Sequence, residues 1–314
     1  MQNMLHILTV RLILTFTCSG AGKSQLAMQF ALTAQLPQKF GGLDAGSCYI
    51  TTQARLPTQR LVQLSENNSL LSSLNCNLSN IHTQLVTTFD QLIHILNSTL
   101  PLLLDGNSTD RRRQIKLLII DTITTILPDE GSSAKRRLLD RSKAIAELGV
   151  ILHKIASKYR IAVITLNEVT DVFVSDAIQQ RAPPNDISYR EQKRIFSVQG
   201  AADQSRGNMS KKEAALGLIW ANQVNVRIVL TRPSHEIAAD GSCQGMNAGA
   251  YGIGHNHSNS EDTMRNMCHP EAPTIRHLSV VFSTISSPST ADYTITPKGV
   301  VLLSEEEDSS IIDF

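Results

Sequence analysis

Between an apolar run at 10–16 and a helically spaced segment at 25–34 stands Thr17-Cys18-Ser19-Gly20-Ala21-Gly22-Lys23-Ser24. A strand that breaks into a loop of small residues ending in Gly-Lys-Ser, and passes at once into a helix, is the setting a phosphate-binding P-loop requires. Gly20, Ala21 and Gly22 leave room for backbone N–H groups to converge on phosphate oxygens, and the positive end of the helix dipole adds to that field. On this reading Ser19, Gly20, Ala21, Gly22, Lys23, Ser24 and Gln25 bind the nucleotide. Lys23 bridges the outer phosphates and the Ser24 hydroxyl takes Mg²⁺. The first glycine of the G-x-x-x-x-G-K-[ST] pattern is Thr17 here, which bears on the turn by which the loop leaves its strand and so on affinity. A chance Gly-Lys-Ser in a turn is the alternative. The flanking strand and helix, with an acid downstream, weigh against it.

That acid closes Ile115-Lys116-Leu117-Leu118-Ile119-Ile120-Asp121, an aliphatic run of the kind found in a parallel strand buried on both faces. A carboxylate at the C-terminal end of such a strand lies where ligands bind in open parallel sheets, and with a P-loop it is the expected second Mg²⁺-site residue. Other buried strands are expected at 47–52 and 161–166, and helices at 57–64, 88–96 and 142–159. Strand and helix alternate to this point, so the fold class is α/β: a P-loop core on a mostly parallel, doubly wound sheet with right-handed crossovers. Two more strands follow at 224–231 and 278–285, then an antiparallel hairpin at 286–301.

The stretches between are read as connections. Residues 66–79 are Asn/Ser/Leu-rich, 105–113 make a polar, basic loop, and 170–213 carry charges of both signs without a sustained period, which predicts a long functional or disordered loop. A low-complexity insertion at 233–273 holds His235, Cys243, His255, His257, Cys268 and His269, but their spacing matches no standard zinc site. The acidic tail at 304–314 reads as a solvated end.

At 314 residues and 41% hydrophobic content the chain can fill a large α/β core. A net charge of +1 exerts no global pull on nucleic acid or an anionic membrane, so any DNA contact must come from local clusters. Five cysteines without a C-x-x-C pair suggest free thiols in a reducing compartment. No run reaches transmembrane length. The apolar N-terminus lacks a cleavage site, and Arg11 interrupts it, so it is read as the first core strand rather than a signal peptide.

The order of these pieces resembles the RecA-like recombinase family, and within it the eukaryotic recombinase paralogues that act as recombination mediators, with the likeness strongest to the fungal ones. The residues that carry it are Ser19-Gly20-Ala21-Gly22-Lys23-Ser24-Gln25-Leu26-Ala27-Met28-Gln29 and Tyr49-Ile50-Thr51-Thr52 with Leu56-Pro57-Thr58-Gln59-Arg60-Leu61. Further on come Leu118-Ile119-Ile120-Asp121, Val163-Ile164-Thr165-Leu166-Asn167-Glu168-Val169 and Ala215-Leu216-Gly217-Leu218-Ile219-Trp220-Ala221-Asn222-Gln223-Val224. The resemblance implies a single RecA-like ATPase core over 1–314 that binds ATP and Mg²⁺, works in the nucleus on single-stranded DNA in double-strand break repair, and has no membrane role. It implies partners too: a second recombinase paralogue as heterodimer partner and the strand-exchange recombinase filament. The family carries a small helical domain and an oligomerisation segment ahead of the core. This chain starts almost directly on the P-loop strand, which is read as a truncated gene model in preference to impaired self-assembly.

Departures from the family pattern bear on mechanism. The glutamate that activates the attacking water in active relatives is Gln53 here. An amide can orient water but cannot take its proton, so Lys23 and Gln53 together predict ATP binding with slow hydrolysis. The Asn-Gln pair that senses the γ-phosphate in many relatives is Asn167-Glu168, and a carboxylate there repels phosphate unless a cation intervenes. Two loops that face DNA in the family correspond to 127–139, with Lys135, Arg136 and Arg137, and to 170–213, with Lys193, Arg194, Arg206, Lys211 and Lys212. These cations would contact phosphates, and Tyr189 or Phe196 would stack on bases. A solvated charge run is the bland alternative, since Asp129, Glu130, Asp186 and Glu191 dilute the field. An active strand-exchange ATPase is the competing function, disfavoured by Gln53. A P-loop kinase or metabolic ATPase would need an acceptor pocket and an arginine-bearing lid that the sequence does not offer.

Overall fold

The computed structural model of the chain describes residues 12–17, 20–74, 76–106, 113–128, 134–172, 211–214, 216–232 and 274–303. The first strand, β1 (Leu12–Thr17), leads through the small-residue loop into α1 (Lys23–Thr33). Then come β2 (Gly46–Thr51), α2 (Thr58–Asn67), the short α3 (Ser69–Ser73) and β3 (Ile81–Leu85). A helical stretch follows in three segments: α4 (Phe89–His94), a wider π turn at Ile95–Thr99, and α5 (Leu100–Asp105). Pro101 at the start of α5 has no N–H to offer the turn before it, which fits the wider turn there. The chain continues with β4 (Ile115–Asp121), α6 (Ala134–Tyr159), β5 (Ala162–Val172), β6 (Lys211–Ala214), α7 (Gly217–Ala221), β7 (Val226–Thr231), β8 (Arg276–Ser283), β9 (Ser289–Thr296) and β10 (Gly299–Leu302).

The strands lie in the order β10-β9-β8-β7-β1-β5-β4-β2-β3, with β6 paired to β5 off that path. From β3 to β7 every pairing is parallel, and β8, β9 and β10 extend the sheet antiparallel from β7. Buried aliphatics alternate between two cores, one on each face. Tyr49, Leu117, Ile119, Ile164, Leu166 and Ile228 pack with α1 and α2, while Cys48, Ile50, Leu118, Ile120 and Val163 pack with α4 and α6. Because successive strand residues point to opposite faces, a run of consecutive apolar residues such as 117–120 serves both layers. The expected α/β sheet with its C-terminal antiparallel hairpin is therefore the architecture observed, and the hairpin continues into β8 as a three-stranded flap.

Several expectations about connections are corrected. Residues 127–139 were expected as a loop, yet α6 has begun by Ala134, so Lys135, Arg136 and Arg137 lie in its opening turns. Residues 170–172 of the expected 170–213 loop extend β5, and its last three, 211–213, belong to β6, which pairs back on β5 from Val172↔Lys211 to Val169↔Ala214; 173–210 lie outside the described residues. The ribbon is paired through its backbone, and its polar sequence carries no apolar alternation to announce it. The 66–79 stretch holds the end of α2 and the whole of α3, capped by Asn68, whose Oδ1 accepts from the N–H groups of Leu70 and Leu71 at 3.1 and 3.3 Å. β3 was not foreseen. It is an edge strand in which only Ile81 is buried, so it lacks the aliphatic run of a central strand. The insertion at 233–273 and the tail at 304–314 lie outside the described residues.

Candidate nucleotide site

Parallel strands deliver their C-terminal ends to one edge of the sheet, and the phosphate loop, Gln53, Asp121 and Asn167-Glu168 follow or close strands there. The loop after Thr17 leaves central β1, whose neighbours are β5 and β7. Register pairs Phe16 with Asn167 and Thr17 with Glu168, so the Asn167-Glu168 pair runs beside the loop's point of departure. Asp121 ends β4, opposite Thr51 of β2, and Gln53 stands exposed two residues past that strand.

Within the loop, Gly20 and Gly22 both have positive φ, 78° and 95°, values that only glycine adopts without strain. Gly22 is the N-cap of α1, so Lys23 and Ser24 open the helix; both are half-buried. Ala21 is fully buried. Gln25 is already engaged: Arg60 Nε donates to its side-chain oxygen at 2.7 Å, while Arg60 Nη2 donates to the Thr296 carbonyl at 2.7 Å. One residue of α2 thus ties α1 to the β9–β10 turn. Ser19 lies outside the described residues.

At the acid's end, the half-buried Asp121 carboxylate accepts a hydrogen bond from the buried Tyr49 hydroxyl at 2.9 Å through Oδ2. Burial, and then the neighbouring Asp121 charge, push the Tyr49 phenol well above its ordinary range, so it is held as a neutral donor. Thr52 fastens the ends of β2 and β4. Its hydroxyl donates to the Thr122 carbonyl at 2.7 Å and accepts from the Thr122 N–H at 2.9 Å, and its N–H donates to the Asp121 carbonyl at 2.9 Å. The Asp121–Thr122 peptide is cis. None of Tyr49, Thr52 or Thr122 was foreseen as a site residue. The contact of Tyr49 with Asp121 spans 72 positions and leaves no local signal.

The donor set fits a Mg²⁺-bound nucleoside triphosphate: amides at a helix N-terminus, an ammonium, a small hydroxyl, and a carboxylate with one oxygen already satisfied. Among the described residues no group of three or more His, Cys, Asp or Glu could hold a metal by itself. Of the predicted DNA contacts, Lys211 and Lys212 lie in β6, where Lys212 pairs with Asp171. Lys193, Arg194, Arg206, Tyr189 and Phe196 lie outside the described residues, as do the histidines and cysteines of the insertion weighed for zinc. Among the described residues no helix is long and apolar enough to cross a membrane.

The buried acids beside the site predict a pH response. Desolvation pushes the Cys48 thiol up to about 12 and the Tyr293 phenol up to about 12, the latter pulled back by Arg276, and it raises Tyr49 in the same direction. Each keeps its proton in the folded chain at a pH where the unfolded chain has lost it. Stability should therefore fall as pH climbs from about 9 towards about 12, and not as it drops below neutrality on their account. Melting temperatures taken from about pH 8 to about pH 11 should decline, and Cys48→Ala should flatten part of the slope. A level profile would contradict the burial of these groups.

With the geometry in place, comparison with known proteins gives the ancestry. The sequence model of the Rad51 family matches residues 7–186. The DNA repair protein XRCC3 of Mus musculus is 28% identical over 228 residues, which is 70% of this chain and 56% of that protein. The DNA repair protein XRCC3 homolog of Arabidopsis thaliana is 28% identical over 291 residues, 90% of this chain and 83% of that one. The DNA repair protein RAD57 of Saccharomyces cerevisiae is 33% identical over 174 residues, 55% of this chain and 37% of its own length. The chain thus spans little more than half of the mouse protein and well under half of the yeast one.

Proposed function

The chain belongs to the Rad51 family, and we propose that it is an ATP-binding recombinase paralogue of homologous recombination and DNA double-strand break repair, acting in the nucleus as a heteromeric mediator. In this role it pairs with a second paralogue and stabilises the strand-exchange recombinase filament on single-stranded DNA. The observation that carries the reading is the placement of the Gly20–Gly22 turn at the N-terminus of α1, on the central strand, with Asp121 on the same sheet edge. The amides of the loop and Lys23 would hold the phosphates, and Ser24 and Asp121 would hold Mg²⁺, whose part is to neutralise charge on the outer phosphates. Tyr49 would keep the Asp121 carboxylate aimed, and Gln53 would orient a water without taking its proton.

Hydrolysis should accordingly be slow while binding persists, and Gln53→Glu should raise turnover. Co-purification with candidate recombination partners, with and without ATP, tests the mediator role. Nucleotide-strengthened capture of a second paralogue supports it, and failure to retain any recombination protein under either condition would remove it.

The opening turns of α6 supply the proposed DNA contacts that remain within the described residues, together with β6. A charge at the start of a helix can swing to solvent on a long side chain, so Lys135, Arg136 and Arg137 could meet phosphates from there. Neutralising all three should weaken single-strand binding and make its salt dependence shallower by up to about two units in the log–log slope. An unchanged slope would take that segment out of the interface.

A further inference from the structure

A trans peptide unit carries its N–H and its C=O on opposite sides, so whatever holds a carbonyl decides where the next residue's N–H points. Three successive carbonyls of the phosphate loop are held from outside it. Arg276 Nε donates to the Gly20 carbonyl at 3.4 Å, the Tyr293 hydroxyl donates to the Ala21 carbonyl at 2.5 Å, and the Gly22 carbonyl accepts the Leu26 N–H at 3.0 Å. The N–H groups of Ala21, Gly22 and Lys23 are thereby turned the other way, off the flap and off the helix body. Gly20 and Gly22 have positive φ and Ala21 between them does not, an alternation that gathers consecutive amides into an anion-binding concavity.

The first two of these anchors come from strands that follow the loop by more than 250 positions. Arg276 opens β8 and Tyr293 sits in β9, only 1% exposed. Ile295 of β9 completes the contact, standing so close to Gly22 that a side chain added there would run into it. Three adjacent loop residues therefore rest on the antiparallel flap. A phenol buried this deeply stays protonated near neutral pH and remains a donor.

We infer that Tyr293 and Arg276 are positioning residues for phosphate binding, acting through the loop backbone by fixing which way its amides face. This rests on the nucleotide reading of the site. The carbonyls of Gly20 and Ala21, left unheld, could rotate towards the phosphates and oppose them. The flap thus sets how well the loop discriminates a triphosphate from a monophosphate.

Tyr293→Phe removes the donor and keeps the ring. Competition titrations of the intact chain with ATP, ADP and AMP in the presence of Mg²⁺ should show ATP and ADP affinity falling about threefold to tenfold, as for loss of one hydrogen bond. AMP affinity should stay as it is, so the ATP-to-AMP ratio drops. Arg276→Gln, at a half-exposed position that the fold tolerates, should give the same pattern with a smaller drop, and it decides the matter if Tyr293→Phe does not fold. An unchanged ratio in the folded variants, or three affinities falling in parallel, would overturn the inference and leave the nucleotide site standing. A wild-type chain that takes up none of the three nucleotides would overturn the reading of the site, and this inference with it.

Discussion

Trp220→Ala should destabilise the fold by about 3–5 kcal/mol, the range seen when a buried aromatic is cut to alanine. A domain holds only about 5–15 kcal/mol in all, so this variant would fold poorly or not at all. Trp220 is completely buried, in a cluster with Leu148 and Leu152 of α6, Leu216, Val224 and Val229 of β7. The segment around it is interlocked with α6 at a second place. His153 Nε2 and the Gln223 carbonyl are 2.7 Å apart, and a Cβ on Gly149 would come within 2.9 Å of the Gln223 side chain. A void left by the indole therefore has no easy way to close. Among the described residues the indole N–H has no partner, so Trp220→Phe loses ring volume without breaking a hydrogen bond there and should cost markedly less. The check is urea unfolding followed at constant m-value; a loss below about 1 kcal/mol for the alanine variant would show that the site collapses freely.

Lys23→Ala should weaken ATP binding about tenfold to a hundredfold and leave the fold in place. Its side chain is half-buried at the first position of α1, where the ammonium would meet charged oxygens. Charge-assisted hydrogen bonds are worth about 1.5–3 kcal/mol, which gives that range of affinity. Alanine is the best helix former, so the helix itself should not suffer. Lys23→Arg retains the charge on a longer, planar head and should recover only part of the loss. Titration with a fluorescent ATP analogue, set beside an unchanged melting curve without nucleotide, separates binding from folding. Equal affinity in the alanine variant would mean that the loop does not hold phosphates through this residue.

The parts of the fold legible in the sequence were those that local chemistry writes out. Ile115 to Ile120 reads as a strand buried on both faces, and the glycines before Lys23 read as a tight loop ahead of a helix, with a chance Gly-Lys-Ser turn as the alternative. One boundary was close where an apolar pattern met a breaker, at Pro57 before α2, whereas the helix expected at 142–159 begins earlier, at Ala134, and the one expected at 88–96 runs further, to Asp105. Edge elements with little apolar surface left no such trace. β6 has the sequence Lys-Lys-Glu-Ala and exists because β5 offers it an edge, while β3 sits at the margin of the sheet with little to bury. The site divided along the same line. Lys23, Ser24 and Asp121 stand in recognisable motifs, whereas Tyr49, Thr52, Arg276 and Tyr293 earn their places only through contacts with residues far along the chain.

The Gln29 carboxamide of α1 behaves as a stand-in for one more strand, its oxygen accepting the Val300 N–H at 2.7 Å and its NH₂ donating to the Val300 carbonyl at 3.3 Å. Because a ribosome delivers the chain in order, α1 must wait through some 270 further residues before this clasp can form. Vectorial synthesis would thus make the P-loop, its helix and its parallel neighbours well before the flap that backs Gly20, Ala21 and Gly22, so early encounters with nucleotide or chaperones would meet an unfinished site. Messages interrupted upstream of the last hairpin would yield products carrying every diagnostic motif yet lacking the final buttress.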